Sequence, residues 1–159
     1  MRILSAILVN FLLVTVSACA NTDVEKNTMS LGEVSPQQLM ADHKSFQHSY
    51  QSFKLSAVEV EEIKHWPSDL HIDVYFGSWC HDSQREVPRF LKIMGEKPTL
   101  SHRLIGLDYD KSEPNGSAKK HDISYTPTFI VYQNSKEIGR IIERPNVSLS
   151  ADISAMLNN

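Results

Sequence analysis

The text changes period at residue 70. Ile72, Val74 and Phe76 alternate with Asp73 and Tyr75, as a strand does, and run directly into Gly77-Ser78-Trp79-Cys80. A helix is expected from about Ser83 to Met94, with Gly95 as its stop. A strand that enters a helix through one tight turn confines the chain to an α/β layer arrangement, and it puts Cys80 at or beside a helix N-terminus. There the unsatisfied amide N–H groups and the positive end of the helix dipole favour a thiolate, the form that attacks disulfides. The location alone therefore makes Cys80 a candidate nucleophile rather than an inert buried cysteine.

The remaining elements follow the same logic. Ser35-Pro36-Gln37-Gln38 reads as a helix start, with Ser35 as N-cap, Pro36 at N1 and Gln38 closing a capping box. Leu39, His43, Phe46, Tyr50 and Phe53 continue it at helical spacing. Ser56 and Glu59 repeat the capping pattern for a short helix ending near Trp66-Pro67. Residues 103–108 are a second strand candidate, 117–121 a short helix, 128–133 a third strand, 137–142 a fourth after an Asn134-Ser135 turn, and 148–157 a closing helix. The order βαβα, then a hairpin and a helix, implies a mixed sheet with helices on both faces.

The start of the chain sets the compartment. Arg2 is followed by an apolar run from Ile3 to Ala18, broken by Ser5, Asn10, Thr15 and Ser17. It is too short and interrupted to span a bilayer and fits an export signal. Its end, Val16-Ser17-Ala18-Cys19, resembles the bacterial lipobox, which implies that Cys19 is lipidated and heads the mature chain; more than one acyl chain makes such anchoring stable. Ala20 in place of Asp resembles an outer-membrane destination. The expected organisation is a signal peptide over residues 1–18, a flexible polar tether over 19–34, an N-terminal helical extension over 35–56 and the main domain over 57–159.

Removing 18 of the 159 residues leaves 141, enough for one domain with a real core. The net charge of -3 becomes -4 without Arg2, with no basic block, so nucleic acid is not an expected partner. The chain has two cysteines; with Cys19 lipidated, Cys80 is the one free thiol and no intramolecular disulfide forms. Seven histidines invite a metal reading, yet none forms a close ligand pair, so no metal is expected and no other cofactor either: there is no glycine-rich phosphate loop and no Gly-x-Ser-x-Gly. Arg85, Glu86, Arg89 and Lys92 read as the solvated face of the helix after Cys80, with Val87, Phe90, Leu91 and Met94 as its core side.

Trp79-Cys80-His81-Asp82-Ser83 resembles the Trp-Cys-x-x-Cys signature of the thioredoxin-like proteins. Pro88 falls eight residues after the cysteine, and Ile123-Ser124-Tyr125-Thr126-Pro127-Thr128 is similar to the family's segment ahead of its cis-proline. The resemblance covers about residues 57–157 and implies a thioredoxin-like fold. It also implies Thr126 and Pro127 as a peptide-recognition shelf and Trp79 as a further substrate contact. Two departures stand out. Ser83 replaces the resolving cysteine, so a mixed disulfide on Cys80 must be released by an external thiol. Val74 occupies the place of the family's buried Asp, and Asp73 is one position off, on the other face of the strand. His81 and Asp82 flank the thiol and are candidates to act on its proton, and Ser83 to donate a hydrogen bond to the sulfur. Two functions are therefore expected: monothiol exchange on protein or low-molecular-weight disulfides, by a membrane-anchored protein facing the periplasm, or a non-catalytic binding or chaperone-like module on the same scaffold.

Overall fold

In a computed structural model that describes residues 28–158, the two periods become a sheet and its covering helices. In chain order the elements are β1 (Gly32–Val34), α1 (Pro36–Asp42), α2 (Lys44–Ser52), α3 (Ala57–Lys64), β2 (Leu70–Phe76), α4 (His81–Glu96), β3 (Ser101–Gly106), α5 (Ser117–Lys120), β4 (Thr128–Gln133), β5 (Lys136–Ile142) and α6 (Leu149–Leu157). The sheet order is β1-β3-β2-β4-β5, with β2 and β3 parallel and the other pairs antiparallel. The parallel pair needs a crossover, and α4 supplies it.

Strand alternation divides the core in two. Ile72, Val74 and Phe76 of β2 face a large cluster with Leu39, Phe46, Ile63, Phe90 and Ile153, so five of the six helices contribute to one face. Tyr75, Ile105 and Ile130 face the other way, covered by Ala118 of the four-residue α5 and by Ile123. Helices thus lie on both faces, very unequally.

Three expectations are corrected. Residues 32–34 are not tether: β1 pairs antiparallel with β3, Gly32 opposite Gly106. The approach is close enough that a Cβ at Gly106 would overlap the Ser30 backbone, 2.7 Å from its carbonyl carbon. The long helix expected from Pro36 to Phe53 is two, broken at His43, which caps α1 and starts α2 in an extended conformation (φ -131°, ψ 100°). His43 is buried, and its Nε2 lies 2.9 Å from Ser30 Oγ, a tie between the break and the incoming chain. Gly95 does not stop α4, which runs through to Glu96. The capping box of α3 forms as read: Ser56 Oγ accepts from Glu59 N–H while the Glu59 carboxylate accepts from Ser56 N–H. Cys19 and the apolar run before it lie outside the described residues.

Candidate functional site

Cys80 is the N-cap of α4 and is partly exposed. The turn that delivers it is tight: Cys80 N–H donates to the Gly77 carbonyl at 3.0 Å, and Gln84 N–H donates to the Cys80 carbonyl at 2.9 Å to begin the helix. Gly77 is required because a Cβ there would sit 2.7 Å from the Trp79 ring. The thiol Sγ donates to the Thr126 carbonyl at 3.1 Å, and the Thr126–Pro127 peptide bond is cis. The cysteine and the proline segment, 46 residues apart in sequence, thus meet because β2 and β4 are neighbours, Tyr75 opposite Thr128.

Trp79 is held from three directions. Its indole N–H donates to the Leu107 carbonyl at 3.1 Å, its ring stacks on Tyr109 with centroids 4.6 Å apart, and Lys111 Nζ lies 5.0 Å above it. Tyr109, stacked on Trp79, and Tyr125, next in sequence to Thr126, are both exposed, aromatic surface that the Trp79 signature alone did not reveal. Thr126 is buried, its backbone carbonyl serving the thiol.

The flanking polar residues divide. His81 is exposed at the first helical position. Asp82 turns to the cations, 2.7 Å from Arg85 and 3.8 Å from Arg144, so two guanidinium groups offset the charge it brings to the site. Ser83 is fully buried, and its hydroxyl accepts the Gly77 N–H at 3.2 Å; among the described residues it makes no hydrogen bond to Cys80, contrary to the expectation. Through that bond the serine knits the turn to the helix.

Glu86 is a second correction. Read as part of a solvated face, it is buried in the structure, with Oε1 accepting from Arg85 Nε at 2.6 Å and Arg89 Nη1 at 3.2 Å, while Oε2 has no hydrogen-bond partner. Helix α4 packs on α2 as well as on the sheet, which widens its buried arc beyond the stripe that periodicity marks. Arg89 lies over the Phe53 ring at 5.1 Å and Lys92 over Tyr50 at 4.0 Å, cationic stems laid along aromatic surface.

Asp73 lies on the opposite face of β2, as its parity requires, only 2% exposed. Arg103 grips it through Nε at 2.8 Å and Nη2 at 2.5 Å, and His71 Nε2 lies 2.7 Å away. Burial alone would raise this carboxyl, but the hydrogen bonds from His71 and Arg103, with the Arg103 charge, outweigh it and hold the pKa at about 2. Burial likewise raises Tyr132 to about 12, with the nearby Asp73 charge adding to it. Among the described residues no three histidine, cysteine or carboxylate side chains gather as metal ligands.

A family model described as thioredoxin matches residues 29–152. No curated protein matches the chain. Among solved structures, an HIV epitope-scaffold superposes with a TM-score of 0.61 at 14% identity, covering 80% of this chain and 93% of that one. A protein of unknown function from Pseudomonas aeruginosa gives a TM-score of 0.52 at 18% identity, with 77% and 72% covered. Mitochondrial thioredoxin 3 from Saccharomyces cerevisiae is 23% identical over 70% of this chain and 99% of its own, with a TM-score of 0.42. At these identities the two structures with TM-scores of 0.61 and 0.52 speak for the fold alone. The family model spans most of the chain, including β1, the cysteine turn and the Thr126–Pro127 segment, and with the mixed sheet and the position of Cys80 it leads to one conclusion: the chain belongs to the thioredoxin family.

Proposed function

We propose that the protein carries out monothiol thiol–disulfide exchange through Cys80, on protein or low-molecular-weight disulfides. It does so as a lipid-anchored protein of the bacterial cell envelope, facing the periplasm from the outer membrane. The observation that carries the reading is the pairing of a partly exposed cysteine at a helix start with the Thr126 backbone, 3.1 Å away, while a buried serine fills the resolving position. In the forward step the Cys80 thiolate attacks one sulfur of a substrate disulfide, forms a mixed disulfide and expels the other sulfur as a thiolate. An external thiol then attacks that mixed disulfide, leaves joined to the substrate fragment and returns Cys80 reduced, so electrons balance without a second cysteine in the chain. The exposed rings of Tyr109 and Tyr125 and the stacked Trp79 offer apolar contact to a bound segment, and Arg144 offers a charge. The anchor rests on the apolar run from Ile3 to Ala18 and on Cys19.

The test is to mix the folded protein with glutathione disulfide and follow intact mass. Mixed disulfide on Cys80 that disappears on adding a reduced thiol, and is absent from Cys80→Ala, is the expected result. A thiol that stays unmodified in the folded protein but reacts once unfolded overturns exchange and returns the scaffold to the non-catalytic binding alternative. Loss of membrane association in Cys19→Ala tests the anchor separately.

A further inference from the structure

On the sheet face away from Cys80, α5 is a single turn, and the half of that face it leaves uncovered is polar rather than apolar. The parallel register places His71 opposite Ser101 and Asp73 opposite Arg103, and the antiparallel register places His71 opposite Tyr132. These residues line a cleft of about 520 Å³. Within it the side chains form a directed chain. Asp73 accepts a hydrogen bond from His71 Nε2 at 2.7 Å, and His71 Nδ1 lies 2.7 Å from Ser101 Oγ.

The direction of that chain follows from chemistry. A carboxylate fixed by a bidentate guanidinium can only accept, so Nε2 of a neutral His71 carries the proton and Nδ1 presents a lone pair to the Ser101 hydroxyl. Asp73 is buried and therefore orients the ring, while Ser101 is exposed and reachable. Serine, a base within hydrogen-bond reach and a buried carboxylate behind the base make the arrangement of an activated hydroxyl nucleophile, recognised by geometry and roles rather than by sequence order. His71 and Ser101 stand at the N-terminal ends of the adjacent inner strands β2 and β3, and the Cys80 chemistry does not use them or Asp73.

We propose that Ser101, His71 and Asp73 form a second reactive site, with Ser101 as an activated nucleophile toward small uncharged acyl esters. Ser101 Oγ attacks the ester carbonyl carbon as its proton passes to His71 Nδ1. The carbon–oxygen bond to the leaving group breaks, and the departing alcohol takes that proton. Water then attacks the acyl-serine, again losing a proton to His71, and the carboxylic acid leaves as Ser101 is restored. Arg103 lines the same cleft, and its guanidinium is the donor available to the oxyanion. The exposed Asp69 carboxylate at the cleft disfavours anionic esters.

The test is labelling of the purified protein with a small fluorophosphonate, located by peptide mass mapping. The expected adduct is on Ser101, absent from Ser101→Ala and from heat-unfolded protein, and formed about 100-fold more slowly in His71→Gln, the contribution of a positioned base. Ser101→Ala changes an exposed hydroxyl and keeps the experiment decisive should His71→Gln fold poorly. An adduct elsewhere, no adduct on the folded protein, or an unchanged rate in His71→Gln overturns the proposal; because the readout is a serine adduct, none of these outcomes bears on exchange at Cys80.

Discussion

Asp73 offers a perturbation whose size can be worked out in advance. Its pKa stands at about 2 in the folded chain against an ordinary value of 3.8. Each pH unit between the two is worth about 1.4 kcal/mol, so the ionised carboxylate with its His71 and Arg103 partners contributes about 2 kcal/mol. The folded pKa is the depressed one, so this stability is complete above the unfolded pKa and is lost as pH falls through the folded one. Between pH 5 and pH 3 the linkage relation removes about 1 kcal/mol, and most of the remainder goes by about pH 2. Other carboxylates titrate in the same window, and Asp73→Asn isolates this one. Urea unfolding of both proteins is measured at pH 5 and pH 3, and the wild-type advantage is expected to shrink by about 1 kcal/mol at the lower pH. An advantage that is the same at both pH values, or that grows in acid, would refute the account of how Asp73 is held.

Two further outcomes test the site and the edge of the sheet. Ser83→Cys places two thiols three residues apart at a helix start, where Cβ atoms lie about 5–6 Å apart and a small adjustment permits a bridge; the variant is expected to show no free thiol after mild oxidation, at a cost of about 1 kcal/mol for the hydrogen bond from Gly77. Two thiols that both remain titratable after oxidation would show that the turn cannot close. Gly106→Ala drives a Cβ into the Ser30 backbone, so β1 is expected to detach and the chain before Pro36 to become sensitive to protease, with stability lower by about 1–3 kcal/mol. Unchanged protection of that segment would mean that β1 tolerates displacement.

What the sequence by itself determined is the part carried by local chemistry. The period of two over residues 72–76, the Ser35 and Ser56 caps, the Asn134-Ser135 turn and the glycine-led turn into α4 are short-range signals, and each marks an element that forms close to where it was read. The cysteine, the serine three residues on and the Thr126-Pro127 pair were legible as a candidate site because their spacing resembles a family signature, and the structure brings Cys80 and Thr126 together. Tertiary structure decided the rest. Three residues from 32 to 34 are too few to display a period, and only the open edge of β3 makes them a strand. The break at His43 comes with a side-chain contact to Ser30, thirteen residues earlier. Glu86 is buried on a helix that packs against α2, α3, α6 and the sheet, surroundings that no property of α4 alone contains. The Ser101–His71–Asp73 chain exists only in the parallel register of β2 and β3, 30 residues apart. Hydrogen bonds across strands depend on which strands are neighbours and in what register, and a one-residue shift would send every one of these side chains to the other face.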